Sequence, residues 1–235
     1  MNRTIVRLSV QAVGGRRRGL VLVLIPAALL VLAVIVRLLT EDDVGFDPTV
    51  GLGFTLALPL VALLASTAVL GPEVDDGSIV YLLAKPVSRH VVAVSKFAAA
   101  WATTMLLGAL PLVVVGLVLD ASEPRRAIAL GVGAAVAGTV YAALFLALAA
   151  LTRNAVVVGL LYTLLWEGVL GSIFVGVRWL SVGAWGRGVA AEVSPLVEDA
   201  GTGLGYSVAA ALVVAVGSVW FTGERLRSFT LRGDE

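Results

Sequence analysis

Six long stretches of this chain carry no more than one charged side chain each, and nothing else constrains its fold as strongly. The first follows Arg18 and reaches Val36 by way of Pro26. The second extends from Pro48 to Pro72, the third from Phe97 to Leu119 and the fourth from Ala127 to Thr152. The fifth lies between Arg153 and Arg178, interrupted only by Glu167, and the sixth between Asp199 and Glu224. A hydrocarbon core is crossed by about 20 apolar residues in helical geometry, so six transmembrane helices are predicted, at 19–39, 50–72, 93–119, 127–151, 155–177 and 202–222. The expected fold is an all-α polytopic membrane protein with one transmembrane domain over 1–235. Composition agrees: 59% of residues are hydrophobic and 14% charged, against about 45–50% and about 25% in soluble domains. The first run ends in VIVRLLTEDD without a small-x-small cleavage site, so it reads as a retained span rather than a signal peptide.

Basic residues near span ends set orientation. With the N-terminus inside, 12 of the 17 Lys and Arg fall on the inner side, among them Arg16–Arg18, Lys85, Arg89, Lys96, Arg153 and Arg225. The outer side holds Arg37, Arg125, Arg126, Arg178 and Arg187, together with nine of the sixteen acids. Both termini and the 73–92 loop are therefore expected in the cytoplasm. Residues 1–18 pattern as an amphipathic segment, with Ile5, Leu8 and Ala12 on one side and Arg3 and Arg7 on another. Such a segment lies along the inner leaflet, held by Arg16–Arg18 near anionic headgroups; the plainer alternative is a basic tail that only fixes topology.

The polar loop 71–96 is the patterned one. Asp75 and Asp76 stand where they complement the dipole of a helix starting near Gly77, and Ile79, Leu82 and Leu83 give it an apolar stripe. Pro86 ends it, and Ser88 is placed to N-cap a second helix running through Lys96 into the third span. A rigid knob of this kind can pass a push from a soluble partner into the bundle; an ordinary snorkelling loop would not need the paired helix signals.

These residues resemble the cytoplasmic signature of ABC-2-type transporter permeases. The resemblance rests on Glu73, Gly77-Ser78, Tyr81-Leu82-Leu83, the run Ala84 to Arg89, and Lys96. Ser78 stands where Thr is usual, and Asp75 and Asp76 where basic residues are frequent. The Thr152-Arg153-Asn154 turn fits too, and Trp166-Glu167-Gly168 looks like permeases near the copper-enzyme-maturation branch. The resemblance implies a half-transporter of an exporter in the cytoplasmic membrane of a prokaryote, pairing as a homodimer or pseudo-dimer. Two copies of an ATP-binding subunit, carrying ATP and Mg, would dock on 73–89. The coupling residues would be Glu73, Asp76, Gly77, Tyr81, Leu82, Leu83, Lys85, Pro86, Val87, Ser88 and Arg89, with the N-terminal segment a second contact.

Catalysis by this chain is not expected. It has no cysteine and a single histidine, His90, which leaves no base for a serine nucleophile and no His-rich metal site. No G-x-x-x-x-G-K-[ST] phosphate loop occurs, and the only lysines are Lys85 and Lys96. Neither a cofactor, a metal nor a nucleic-acid partner is expected for the chain itself.

Glu167 is the one acid well inside a span, and an ionisable group there costs a few kcal/mol unless paired or facing a cavity. Three readings stand: a lining of the translocation path with Trp166 and Tyr162, an inter-subunit lock with a cation such as Arg178, or a brace hydrogen-bonded to Tyr162 or Thr163. Rival functions are a proton-coupled secondary transporter with Glu167 as relay, and a scaffold or sensor subunit without transport. Segment 178–202 reads as a short re-entrant or surface helix capping the bundle, with Trp179 and Trp185 suited to an interfacial belt; a substrate gate is the alternative. Gly131, Gly133 and Gly138 offer close helix approach on the fourth span. Pro59 and Pro111 shape the second and third.

Overall fold

The computed structural model describes residues 16–40, 45–75 and 88–228. Within them nearly every residue is helical and no strand occurs. Helix α1 spans Arg16–Leu39. Helix α2 continues from Phe46–Leu52 through a widened stretch, Gly53–Ala57, into Leu58–Asp75. Helix α3 likewise joins Arg89–Thr104, Met105–Ala109 and Leu110–Leu119, and α4 spans Pro124–Leu151. Helix α5 comprises Ala155–Leu161, Tyr162–Leu170 and a closing turn, Gly171–Ile173. Helix α6 spans Val182–Val193, and α7 spans Leu204–Ser228.

Among the described residues, five helices are long and apolar enough to cross a bilayer, over Gly19–Leu39, Phe46–Leu70, Arg89–Leu119, Pro124–Leu151 and Leu204–Arg227. The fifth expected span differs. Its apolar helix is the shorter Ala155–Leu170, about 24 Å at about 1.5 Å per residue, against a hydrocarbon core of about 30 Å. The chain leaves the helix at Phe174 (φ −108°, ψ 113°), passes through a tight 3-10 segment, Val175–Leu180, and re-enters the bundle as α6. Helix α6 is buried along Val182–Gly186 and Gly188–Ala190. Segment 178–202 thus holds a short helix that turns back into the bundle.

We call the end where α2 stops and α3 starts proximal, and the other end, near Phe46 and Pro124, distal. Helix α4 is the axis, packed by α2, α3, α6 and α7, with Tyr141, Phe145 and Leu146 fully buried on it. Helices α1 and α7 lie outside. Their exposed Leu20, Val31, Leu38, Leu212, Val213 and Val216 form surface that lipid, not water, solvates, because tails are as apolar as these side chains.

Close approach between α4 and α6 depends on two glycines. A Cβ on Gly133 would lie 2.3 Å from the Gly186 carbonyl oxygen, and one on Gly186 would lie 2.8 Å from the Ala137 methyl. At the distal rim the Arg125 side chain donates to the Val193 carbonyl at 2.9 Å. Arg126, 5% exposed, lies 3.3 Å above the Phe46 ring and 3.4 Å from Asp120. Helix α6 thus starts deep, beside Tyr141, and ends at the distal rim.

Prolines explain two of the widened stretches. A proline ring clashes with the carbonyl four residues earlier, and a turn with i→i+5 bonding relieves the clash. Pro59 follows Gly53–Ala57, where the Leu58 N–H donates to the Gly53 carbonyl. Pro111 follows Met105–Ala109, where the Leu110 N–H donates to Met105. These shape features were legible from the prolines. The third stretch, Tyr162–Leu170, contains no proline.

Candidate functional site

That third stretch carries Glu167, which is 2% exposed. In i→i+5 geometry residues five apart share a face, and the Tyr162 hydroxyl donates to Glu167 Oε1 at 2.9 Å. The Val182 N–H donates to the same oxygen at 2.9 Å. On Oε2, the Ser181 hydroxyl donates at 2.5 Å and the Gly183 N–H at 3.4 Å. Ser181 is also the N-cap of α6, its hydroxyl accepting from the Ala184 N–H at 3.1 Å. The carboxylate therefore sits at the N-terminus of a helix, where unpaired N–H groups and the helix dipole favour negative charge. Charge-assisted bonds of this kind are about twice as strong as neutral ones.

The chain turns back after α5 because Glu167 needs donors that an apolar span cannot supply, and the start of α6 has them. Trp166 adds a second fastening, its Nε1 donating to the Leu180 carbonyl at 3.3 Å. Trp185 Nε1 and the Tyr206 hydroxyl both donate to the Trp179 carbonyl, at 2.8 and 2.7 Å. Trp185 is 4% exposed and stands edge-on to Tyr206 with ring centroids 6.4 Å apart. It belongs to the core, not to the interfacial belt expected for it, because α6 is drawn inward. Of the partners foreseen for Glu167, Tyr162 bonds to it, whereas the buried Thr163 hydroxyl makes no hydrogen bond. Within this chain, the groups that hold it are the Tyr162 and Ser181 hydroxyls and the Val182 and Gly183 N–H groups.

A second polar cluster ties the proximal end. Ser88 (φ −63°, ψ 139°) N-caps α3, with the Val91 N–H 3.4 Å from its hydroxyl and 3.0 Å from its carbonyl. Helix α3 then begins at Arg89. Two turns on, Lys96 is 1% exposed and its ammonium donates to the Val69 carbonyl of α2 at 2.7 Å. A buried ammonium is tolerated only with such partners. His90 Nε2 lies 3.3 Å from Glu224 of α7, and a Cβ on Gly223 would lie 2.7 Å from the His90 ring. The first turns of α3 are thereby fastened to both α2 and α7.

Glu73 lies in the last turn of α2. Asp76, Gly77, Tyr81, Leu82, Leu83, Lys85, Pro86 and Val87 lie outside the described residues, as does the amphipathic segment through residue 15. The tie made by Lys96 escaped sequence reasoning as a structural element; its signal was a lysine on a face otherwise made of Val92, Ala93 and Ala99.

Fold and site together define an integral-membrane helical bundle whose buried polar groups fasten helices to one another. The chain matches the family model for the ABC-2 family transporter protein over residues 27–179, well over half its length, and it belongs to that family. The assignment holds for the family as a whole rather than for the copper-enzyme-maturation branch. No curated protein matches. Members are the membrane components of ABC transporters, and the family generally works with an ATP-binding subunit.

Proposed function

We propose that this chain is the permease subunit of an ABC exporter, paired with a second permease copy and driven by two ATP-binding subunits on its proximal side. The observation that carries the reading is the proximal tie. A helix that starts sharply at a Ser88 cap and grips α2 through Lys96 and α7 through His90 is built to convert a push on residues 73–89 into movement of three helices. The basic bias of that side supports a cytoplasmic location, in a prokaryotic membrane, with both termini inside. Glu73, Asp76, Gly77, Tyr81, Leu82, Leu83, Lys85, Pro86, Val87, Ser88 and Arg89 would receive the ATPase. The translocation path would form between the two permease copies.

Glu167 serves in this reading as a brace for α6. Its four donors satisfy the carboxylate and leave it no free face toward a path, which weighs against a proton relay. The test is the double variant Pro86→Ala with Arg89→Glu, co-expressed with a candidate ATP-binding subunit from the same organism. It should insert in the membrane like the wild type and lose co-purification of the ATPase. Unchanged co-purification and transport would remove the coupling assignment.

A further inference from the structure

On the proximal half of the bundle an apolar groove of about 390 Å³ runs between α4, α5 and α7, lined by Leu148, Leu151, Val158, Tyr162, Gly217 and Phe221 among others. Its volume falls within the roughly 300–1,000 Å³ of small-molecule sites. It opens sideways, since Leu151, Val158 and Phe221 are each about half exposed. Gly217 is informative. Within α7 a glycine weakens the helix relative to other residues, and here a Cβ would meet nothing within 4 Å. No packing contact of this chain requires the glycine; its effect is to leave the groove open.

Charge at the mouth identifies the occupant. Arg153 follows two residues after Leu151, in the turn between α4 and α5, and is exposed. Glu224, the acid nearest on α7, faces His90 at 3.3 Å and Arg227 at 3.0 Å. An apolar slot reaching toward the bilayer interior, with the Arg153 guanidinium two residues past its Leu151 wall, fits a chain carrying a phosphate at one end.

We propose that this groove holds one acyl chain of an anionic glycerophospholipid from the leaflet at the proximal end, with its phosphate at Arg153. The site goes beyond the transport reading and rests on it only for calling that leaflet cytoplasmic. The Tyr162 hydroxyl, at the inner end of the slot, donates to Glu167, so the bound chain abuts the brace of α6.

The test is native mass spectrometry of the full chain released from vesicles of equal phosphatidylglycerol and phosphatidylcholine. The wild type should retain one phosphatidylglycerol per chain in preference to phosphatidylcholine. Gly217→Leu projects a larger side chain from a position where a Cβ meets nothing within 4 Å and adds a better helix former, so helicity and oligomeric state should persist while retained phosphatidylglycerol falls about tenfold. Arg153→Gln should keep an adduct but lose the headgroup preference, by about fivefold. Undiminished phosphatidylglycerol on Gly217→Leu, or an undiminished preference on Arg153→Gln, overturns the proposal. A Gly217→Leu variant that changes oligomeric state assigns the groove to a second copy of the chain and overturns it equally.

Discussion

Glu167→Ala removes the acceptor from four donors at once: the hydroxyls of Tyr162 and Ser181 and the N–H groups of Val182 and Gly183. The hydroxyls can rotate toward other acceptors, but the two backbone donors are fixed by α6. Each buried donor left unpaired costs about 1–3 kcal/mol, and the lost side-chain volume adds a cavity penalty. Relief of the desolvated carboxylate offsets part of this, leaving about 2–4 kcal/mol. Glu167→Gln keeps the volume and one acceptor oxygen, enough for Tyr162 and Val182, and should cost about 1–2 kcal/mol. Equilibrium unfolding in mixed detergent and dodecyl sulfate micelles reads the difference, with Trp166, Trp179 and Trp185 reporting from around the site. Because the chain has no cysteine, Ala184→Cys supplies a clean second readout. That position is fully buried, so a maleimide should label it only when Glu167→Ala has released α6. Losses below about 0.5 kcal/mol for both variants, with residue 184 still protected, would refute the bracing account.

Other outcomes follow from the packing. Gly133→Ala places a methyl 2.3 Å from the Gly186 carbonyl oxygen, and should destabilise by about 1–3 kcal/mol in the same unfolding assay. Gly51→Ala, where a Cβ meets nothing within 4 Å, should be neutral or stabilising by up to about 1 kcal/mol. Lys96→Met should cost about 1–3 kcal/mol through the lost bond to Val69, and Lys96→Ala more, because it also opens a cavity. A double-mutant cycle on His90 and Glu224, whose side chains are 38% and 35% exposed, should give a coupling below about 1 kcal/mol; a larger value would mean that the pair is shielded by an additional partner.

Charge-free runs made the helices legible, since a bilayer admits few alternatives to them. The re-entrant course of 174–193 was legible only as a choice. Past Glu167 the run carries no further charge until Arg178, so no charge marks the helix end at Ile173. The cause is a contact fourteen and fifteen residues away, Ser181 and Val182 with Glu167, and periodicity does not carry such pairings. Trp185 shows the same effect: an amphipathic ring suits a membrane interface or a core, and the course of α6 decides between them. Glu167 itself was conspicuous as a lone acid in an apolar run, and Tyr162 was foreseen as a partner because both lie on one helix. Lys96 reads as a span-opening charge until α2 is placed against α3, when its ammonium meets the Val69 carbonyl.

The most direct measurement of the central proposal is ATP hydrolysis in proteoliposomes containing this chain, a candidate ATP-binding subunit from the same organism, or both. The chain alone should hydrolyse no ATP, and the ATPase should bind the vesicles only when the permease is present. Pro86→Ala with Arg89→Glu should abolish that recruitment. A chain that moves its substrate with a proton gradient, in vesicles free of any ATPase, would contradict the account.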